Sequence, residues 1–222
     1  MLGKELIRTG RGYRAFIEVD DRECRFLAVS EGGEPPMVGG AAPYPAGMDR
    51  VRGLEEAVYA NPLMLADFDS VTALIRGGRF MLMPGFVTDD ELAAELFRAQ
   101  YPADNFLPPS ELLVDDWEGL DARLVYEAGR DEMAFLRRTF NNPRFRHPLT
   151  ALAAYFAGRR GGGAASRTLL NIAPGRADIV VLRPGAALCA NSFPLAGPMD
   201  AAYYALAVRQ SLSLPARDEL ML

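Results

Sequence analysis

The chain reads as an α/β protein, mixed sheets flanked by helices, assembled from two related halves. Three observations predict this. Strand-like and helix-like segments alternate from Gly12 onward. The run Gly158–Ser166 (GRRGGGAAS) has the composition of a flexible linker, and after it the same strand–turn–strand order starts again. The stretch Tyr44-Pro45-Ala46-Gly47-Met48-Asp49 also recurs, with a short insertion, as Phe193-Pro194-Leu195-Ala196-Gly197-Pro198-Met199-Asp200. In both copies an aromatic–Pro turn closes on Met-Asp before a helix, with Asp in the capping position and Met as a hydrophobic staple. The expected organisation is a first half with connecting helices over 1–157, a linker over 158–166 and a second half over 167–222.

The elements follow in order. Gly12–Val19 and Cys24–Ser30 form a hairpin across Asp20-Asp21-Arg22-Glu23. Glu31–Pro45 is a Gly/Pro-rich loop with at most a short edge strand. Val51–Leu65 is a helix that Pro62 ends or restarts. Ser70–Arg76 and Arg79–Met83 are strands around Gly77-Gly78, a hairpin signal. Thr88-Asp89-Asp90-Glu91 is a capping box opening a helix that buries Leu92, Leu96 and Phe97. Pro102–Ser110 is loop and Asp121–Glu127 a strand. Arg130–Phe140 is a helix with Met133, Leu136 and Phe140 on one face. Pro148 opens another, burying Leu149, Leu152, Ala153 and Phe156. Beyond the linker come strands Thr168–Ala173, Asp178–Leu182 and Ala187–Ser192, a helix over Asp200–Leu212, and a strand-like tetrad Glu219–Leu222.

Composition removes much chemistry. The chain has 222 residues and a net charge of −5, which favours neither nucleic acid nor anionic lipid. Lys4 is the sole lysine, so a Walker A loop is excluded. With one histidine, His147, and two isolated cysteines, Cys24 and Cys189, a structural zinc site lacks its ligands. No apolar run reaches the ~18–20 residues of a membrane helix, and Met1–Gly12 builds no signal-peptide core. These features predict a reduced, cytoplasmic protein without membrane insertion.

Several segments resemble a known family. Ala187–Leu214 carries a strand ending in Asn-x-Phe (Asn191, Phe193), a polar turn, and a helix opening with Asp-x-x-Tyr-Tyr (Asp200, Tyr203, Tyr204). Arg79–Pro84 before a capped helix and His147-Pro148-Leu149 entering another match the same pattern. Together they resemble an uncharacterised bacterial family of unknown function with an actin-like ATPase fold, whose ribonuclease H-like halves repeat three strands, helix, strand, helix. The resemblance implies that Glu219–Leu222 would continue into glycine and a closing helix, so a shortened second half is expected. It implies no activity for the family itself.

In actin-like ATPases two glycine-containing hairpins hold phosphate and an Asp in each lies near Mg²⁺. The matching candidates here are Asp20 in the first hairpin and Gly175, Arg176 and Asp178 in the second. The first turn has acids and no glycine, and the second lacks the Asp-x-Gly order, so a degenerate nucleotide site is expected. Gly161-Gly162-Gly163 precedes a strand and reads as linker. Asp20, Asp69, Asp115, Asp116 and Asp178 could serve a metal-dependent ribonuclease H-like nuclease, although no spacing converges three of them. His147 reads as a capping or packing residue, the cysteines as small buried hydrophobes, and Tyr203 and Tyr204 as core. Trp117 suits core or interface alike.

The leading expectation is an actin-like module with no catalytic residue, metal or cofactor, which binds a protein partner or itself and takes no nucleic acid. The resemblance implies such a role by analogy with assembly adaptors in pilus and secretion machinery. The alternative is a divergent ATP-binding protein or ATPase using Mg-ATP at Gly175, Arg176, Asp178 and Asp20. The nuclease is a distant third.

Overall fold

Alternating apolar residues turn Ala15, Ile17 and Val19 of strand β1 (Arg14–Val19) into the core. The structure, a computed structural model, describes residues 10–32, 36–102, 110–159, 165–197, 199–215 and 218–222. Strand β2 (Glu23–Val29) returns antiparallel along β1 with Val19 opposite Cys24. Strand β3 (Met37–Pro43) then pairs antiparallel outside β2. Seven residues of strand stand where the sequence predicts mostly loop. Small side chains allow it: a Cβ on Gly39 would lie 2.4 Å from the Phe26 carbonyl oxygen.

Helix α1 (Arg50–Tyr59) is capped by Asp49, whose carboxylate accepts the Arg52 N–H at 3.0 Å. A 3-10 turn, Pro62–Leu65, follows, so Pro62 restarts the chain direction. Strand β4 (Ser70–Ile75) lies parallel to β1, on the edge opposite β2.

Gly77-Gly78 is not a hairpin turn, contrary to expectation. β4 pairs with β1 and β8 (Arg144–Arg146), while β5 (Phe80–Pro84) enters another sheet, beside β7 (Ala122–Gly129) with β6 (Ser110–Trp117) beyond it. Neither glycine has the positive φ that tight hairpins require. Gly77 answers a different need, since a Cβ there would fall 1.7 Å from the Glu127 carbonyl oxygen.

Helix α2 (Asp90–Gln100) is capped by Asp89 rather than Thr88; Asp89 accepts from the N–H groups of Glu91 and Leu92. Ala93 and Phe97 are buried, but Leu92 and Leu96 are exposed, against expectation. Strand β6 (Ser110–Trp117) was not anticipated, because Asp115, Asp116 and Glu118 give the stretch a loop-like composition. Its Trp117 is buried and donates Nε1–H to Thr150 Oγ1 at 3.0 Å, while Thr150 donates to buried Asp115 at 2.6 Å. Strand β7 (Ala122–Gly129) leads into α3 (Arg130–Thr139), which buries Met133, Phe135 and Leu136. Helix α4 (Pro148–Gly158) buries Leu149, Ala153 and Phe156.

Strands β9 (Arg167–Ala173), β10 (Arg176–Arg183) and β11 (Ala186–Pro194) form an antiparallel meander. Helix α5 (Asp200–Ser211) follows, and β12 (Glu219–Met221) returns parallel to β9. Asp200 is not the N-cap that the repeat predicts. Met199 occupies that position, and the Asp200 carboxylate reaches back to the N–H groups of Ala196 and Gly197 at 2.7 and 2.8 Å. Tyr203 and Leu206 are exposed rather than core; α5 buries Ala201, Ala205 and Val208.

The chain forms two compact units. The first takes the described residues of Met1–Arg79, Ala103–Leu113 and Tyr126–Pro148. The second takes those of Phe80–Pro102, Val114–Val125 and Leu149–Leu222. One sheet runs β3-β2-β1-β4-β8 and another β11-β10-β9-β12. The first four positions correspond, each last-formed strand lying parallel to the first of its set. Residues 160–164 of the expected linker lie outside the described residues, as do 103–109 of the expected loop.

Gly77→Ala should cost about 3 kcal/mol in denaturant unfolding, because the new Cβ must displace backbone. Gly78→Ala, where a Cβ meets nothing within 4 Å, should stay within about 0.5 kcal/mol.

Candidate functional site

Two turns hold the four candidate residues: Asp20 lies in β1–β2 of the first unit, and Gly175, Arg176 and Asp178 in or beside β9–β10 of the second.

The first turn is held by its own carboxylates and by two arginines, Arg25 and Arg50. Asp20 accepts the Asp21 N–H at 2.8 Å, and its own N–H donates to the Glu23 carbonyl at 3.1 Å. Glu23 is engaged by Arg25. Asp21 accepts from Arg50 Nη1 at 2.8 Å. The same guanidinium donates Nε–H to Glu132 at 2.9 Å and Nη2–H to the Arg76 carbonyl at 3.0 Å. Arg50 thus ties the hairpin turn, the end of β4 and the first turn of α3 to the start of α1. Burial pushes the Glu132 carboxyl up, against the pull of Arg50. Tyr44 lays its side chain over Gly53, where a Cβ would lie 2.7 Å away, and among the described residues its buried hydroxyl has no hydrogen-bond partner. Burial also raises the Tyr44 phenol.

Arg50 and Glu132 were not singled out by sequence. The signal was present, however: a cation at the first residue of a helix opposes the helix dipole and therefore implies an acid to hold it.

The second turn places Gly175 at φ +76°, a conformation that favours glycine. Its carbonyl accepts the Leu195 N–H at 2.8 Å. Asp178 does not face solvent. It is fully buried on β10, directly opposite Asn171 of β9 and Ser192 of β11. Ser192 Oγ donates to one carboxylate oxygen and Asn171 Nδ2 to the other at 3.2 Å. Arg176 Nε stands 3.7 Å from the second oxygen. The arrangement is a cross-strand polar ladder, with the charge compensated inside the sheet.

The remaining acids are dispersed among separate partners. Asp69 accepts the Gly12 N–H at 3.0 Å, Asp116 pairs with Arg123 at 2.6 Å, and Asp115 takes the Thr150 hydroxyl. Among the described residues no three or more His, Cys, Asp or Glu form a group able to hold a metal ion. His147 is a packing residue, fully buried and edge-on to Tyr126 at 5.2 Å. Cys24 is buried and Cys189 half-buried; both are free thiols. Burial, with Glu18 and Glu23 adding to it, pushes the Cys24 thiol up to about 12.

The chain belongs to the family described as Protein of unknown function (DUF3822), whose model matches residues 12–222. It is similar to a Bacteroides thetaiotaomicron protein with an actin-like ATPase fold and unknown function. That match has a TM-score of 0.82 at 19% identity and covers 94% of this chain and 80% of that one. A chain of a PilM–PilN type IV pilus biogenesis complex matches with a TM-score of 0.52 at 16% identity, over 91% of this chain and 66% of that one. The fold is therefore the duplicated actin-like ATPase fold. No curated protein matches in sequence. Among the described residues no helix is long and apolar enough to cross a membrane.

Two outcomes follow from the geometry. Asp178→Ala should cost about 2–3 kcal/mol in unfolding titrations, because Ser192 and Asn171 lose their acceptor within the sheet. For Cys24, an unfolded thiol ionises near 9 whereas the folded one keeps its proton up to about 12. Stability should therefore fall as pH rises through that window, and Cys24→Ala should make the fall shallower in pH-dependent unfolding, the Tyr44 phenol, also raised by burial, keeping its own share.

Proposed function

We propose that this member of the DUF3822 family is a non-catalytic protein-binding or assembly module, in which the nucleotide site of the actin-like fold is degenerate. The observation that carries the reading is the β1–β2 turn. A phosphate cradle needs backbone N–H groups with room for an anion beside them, which glycine supplies. Here the turn reads Asp20-Asp21-Arg22-Glu23, without glycine and with three carboxylates. Arg50, the cation beside it, already spends its guanidinium on Asp21, Glu132 and the Arg76 carbonyl.

The second turn supports the same reading. Gly175 has the open conformation, but Asp178 is enclosed by Ser192, Asn171 and Arg176 and turned into the sheet. The likeness to a chain of a PilM–PilN type IV pilus biogenesis complex adds a relative of this fold found in an assembly complex. In this reading the protein needs no cofactor, and its partner is a protein or a second copy of itself.

Titration calorimetry with Mg-ATP tests it. The folded wild type should give no binding heat. Micromolar binding that weakens tenfold or more in Arg176→Ala would overturn the degenerate-site reading and favour the ATP-binding alternative built on Gly175, Arg176, Asp178 and Asp20.

A further inference from the structure

We infer that the outer edge of β3 takes an extended, uncharged segment of a partner protein as a sixth strand, with one apolar side chain of that segment seated beneath the edge. The inference rests on the reading of the protein as a protein-binding module and names the site and the kind of partner.

β3 is the outermost strand of its sheet and pairs on one side alone, with β2. The ladder shows which backbone groups remain. At one end Tyr44 donates its N–H to the Arg22 carbonyl at 2.9 Å, and at the other the Pro36 carbonyl accepts the Ser30 N–H at 2.9 Å. Bonded and non-bonded pairs alternate in an antiparallel ladder, so Val38, Gly40 and Ala42 turn their backbone groups toward β2. Met37, Gly39 and Ala41 turn theirs outward, and among the described residues nothing bonds to them there. The edge carries none of the usual protection: its seven residues include no charge, no bulge breaks its register, and its one proline stands at the end. Such a row of donors and acceptors is complementary to another extended chain.

A cavity of about 130 Å³ adjoins the same edge. Residues 39–42 of β3 form one wall, Cys24 and Phe26 of β2 another, and Leu63 and Met64 of the 3-10 turn a third. Gly40 lies opposite Phe26, whose side chain is turned to the core, and a Cβ built on Gly40 would meet nothing within 4 Å. The space is close to that of an engineered cavity of ~150 Å³ that accepts benzene, so it holds one side chain of leucine size. On an added strand, the residue opposite Gly40 faces the same side and reaches it.

The occupant is selected by what fills that space. A second copy, paired through its own β3, could offer this face only Val38, Gly40 or Ala42. Val38 and Ala42 already pack against their own core, and Gly40 has no side chain. Seven residues of edge, about 23 Å long, also bury far less than the roughly 800 Å² per partner of a stable dimer. A segment held by backbone bonds and one apolar anchor suits so short an edge. With no charge on the strand or lining the cavity, a charged side chain turned toward them would lose its hydration uncompensated, so the segment is uncharged there.

Fluorescence anisotropy with a labelled seven-residue peptide, threonine alternating with alanine and leucine at the centre, tests this on the whole chain. Binding should saturate, and should weaken at least tenfold when the leucine is replaced by glycine. Antiparallel pairing places the two residues flanking the leucine opposite Gly39 and Ala41, so methylating their backbone nitrogens should weaken binding as much. Ala41→Pro removes an outward N–H, which an edge strand tolerates, and Gly40→Val fills the cavity from within. Each should lose tenfold or more in affinity, with circular dichroism confirming the fold. In the wild type the Gly39 and Ala41 amides should gain hydrogen-exchange protection when the peptide binds. No saturable binding by folded wild type, or binding indifferent to both variants, would overturn the proposal. A wild type that dimerises in sedimentation and is made monomeric by Ala41→Pro would assign the edge to a second copy and overturn it too. Heat from Mg-ATP would count against the degenerate nucleotide site and leave these results standing, so the two failures are distinct.

Discussion

Each principal sheet depends on its first strand being paired along both edges. β1 carries β2 antiparallel on one side and β4 parallel on the other, and β9 carries β10 and β12 in the same way. A buried strand cannot leave backbone N–H and C=O groups unpaired. Its antiparallel neighbour comes through a short turn, but a parallel neighbour requires a crossover, usually helical. The order three strands, helix, strand follows from that requirement. It also explains why α1 and α5 bury the residues they do: Leu54, Ala57 and Val58 in one, Ala201, Ala205 and Val208 in the other. The same constraint fixes the β1–β2 turn at one end of the sheet, where Arg50 at the start of the crossover helix can reach it.

The duplicated architecture was legible because it is written in short-range signals. Alternation in Arg14–Val19, the turn acids, and the aromatic–Pro–Met–Asp junctions all act within a few residues of themselves. Most of what failed was decided by distant partners. Gly77-Gly78 has the composition of a hairpin, yet the glycine serves a close approach to Glu127, fifty residues on. Asp115 and Asp116 made β6 resemble loop, because nothing local announces Thr150 and Arg123, which satisfy them. The Met-Asp repeat held as a junction but not as chemistry: Asp49 caps its helix, whereas Asp200 turns back to Ala196 and Gly197. Leu92, Leu96, Tyr203 and Leu206 have the spacing of a core stripe, and a helical period cannot say whether anything covers it.

The candidate site was legible in part for the same reason. Asp20, Gly175, Arg176 and Asp178 could be located from the turns that hold them, but their hydrogen-bonding partners lie on neighbouring strands. Asn171 and Ser192 flank Asp178 only because the register of β9, β10 and β11 places all three side by side. Burying that carboxylate, like burying Glu132 beside Arg50, is tolerable only with the compensating groups in place. Both carboxylates therefore couple the turns to the surrounding sheets and helices and limit how far either turn could rearrange.

The second unit is discontinuous in sequence, and this bears on how the molecule is observed as it folds. One of its cores joins partly buried Phe80 and Leu82 to Trp117, Leu124, Leu149, Phe156, Leu169 and Val180, so it cannot close until the chain has been made to about Leu182. The earlier apolar segments must wait exposed, as non-local contacts close slowly. The only tryptophan in the chain belongs to this core. Intrinsic tryptophan fluorescence will accordingly follow the closing of this core, whereas the core of the first unit contains no tryptophan.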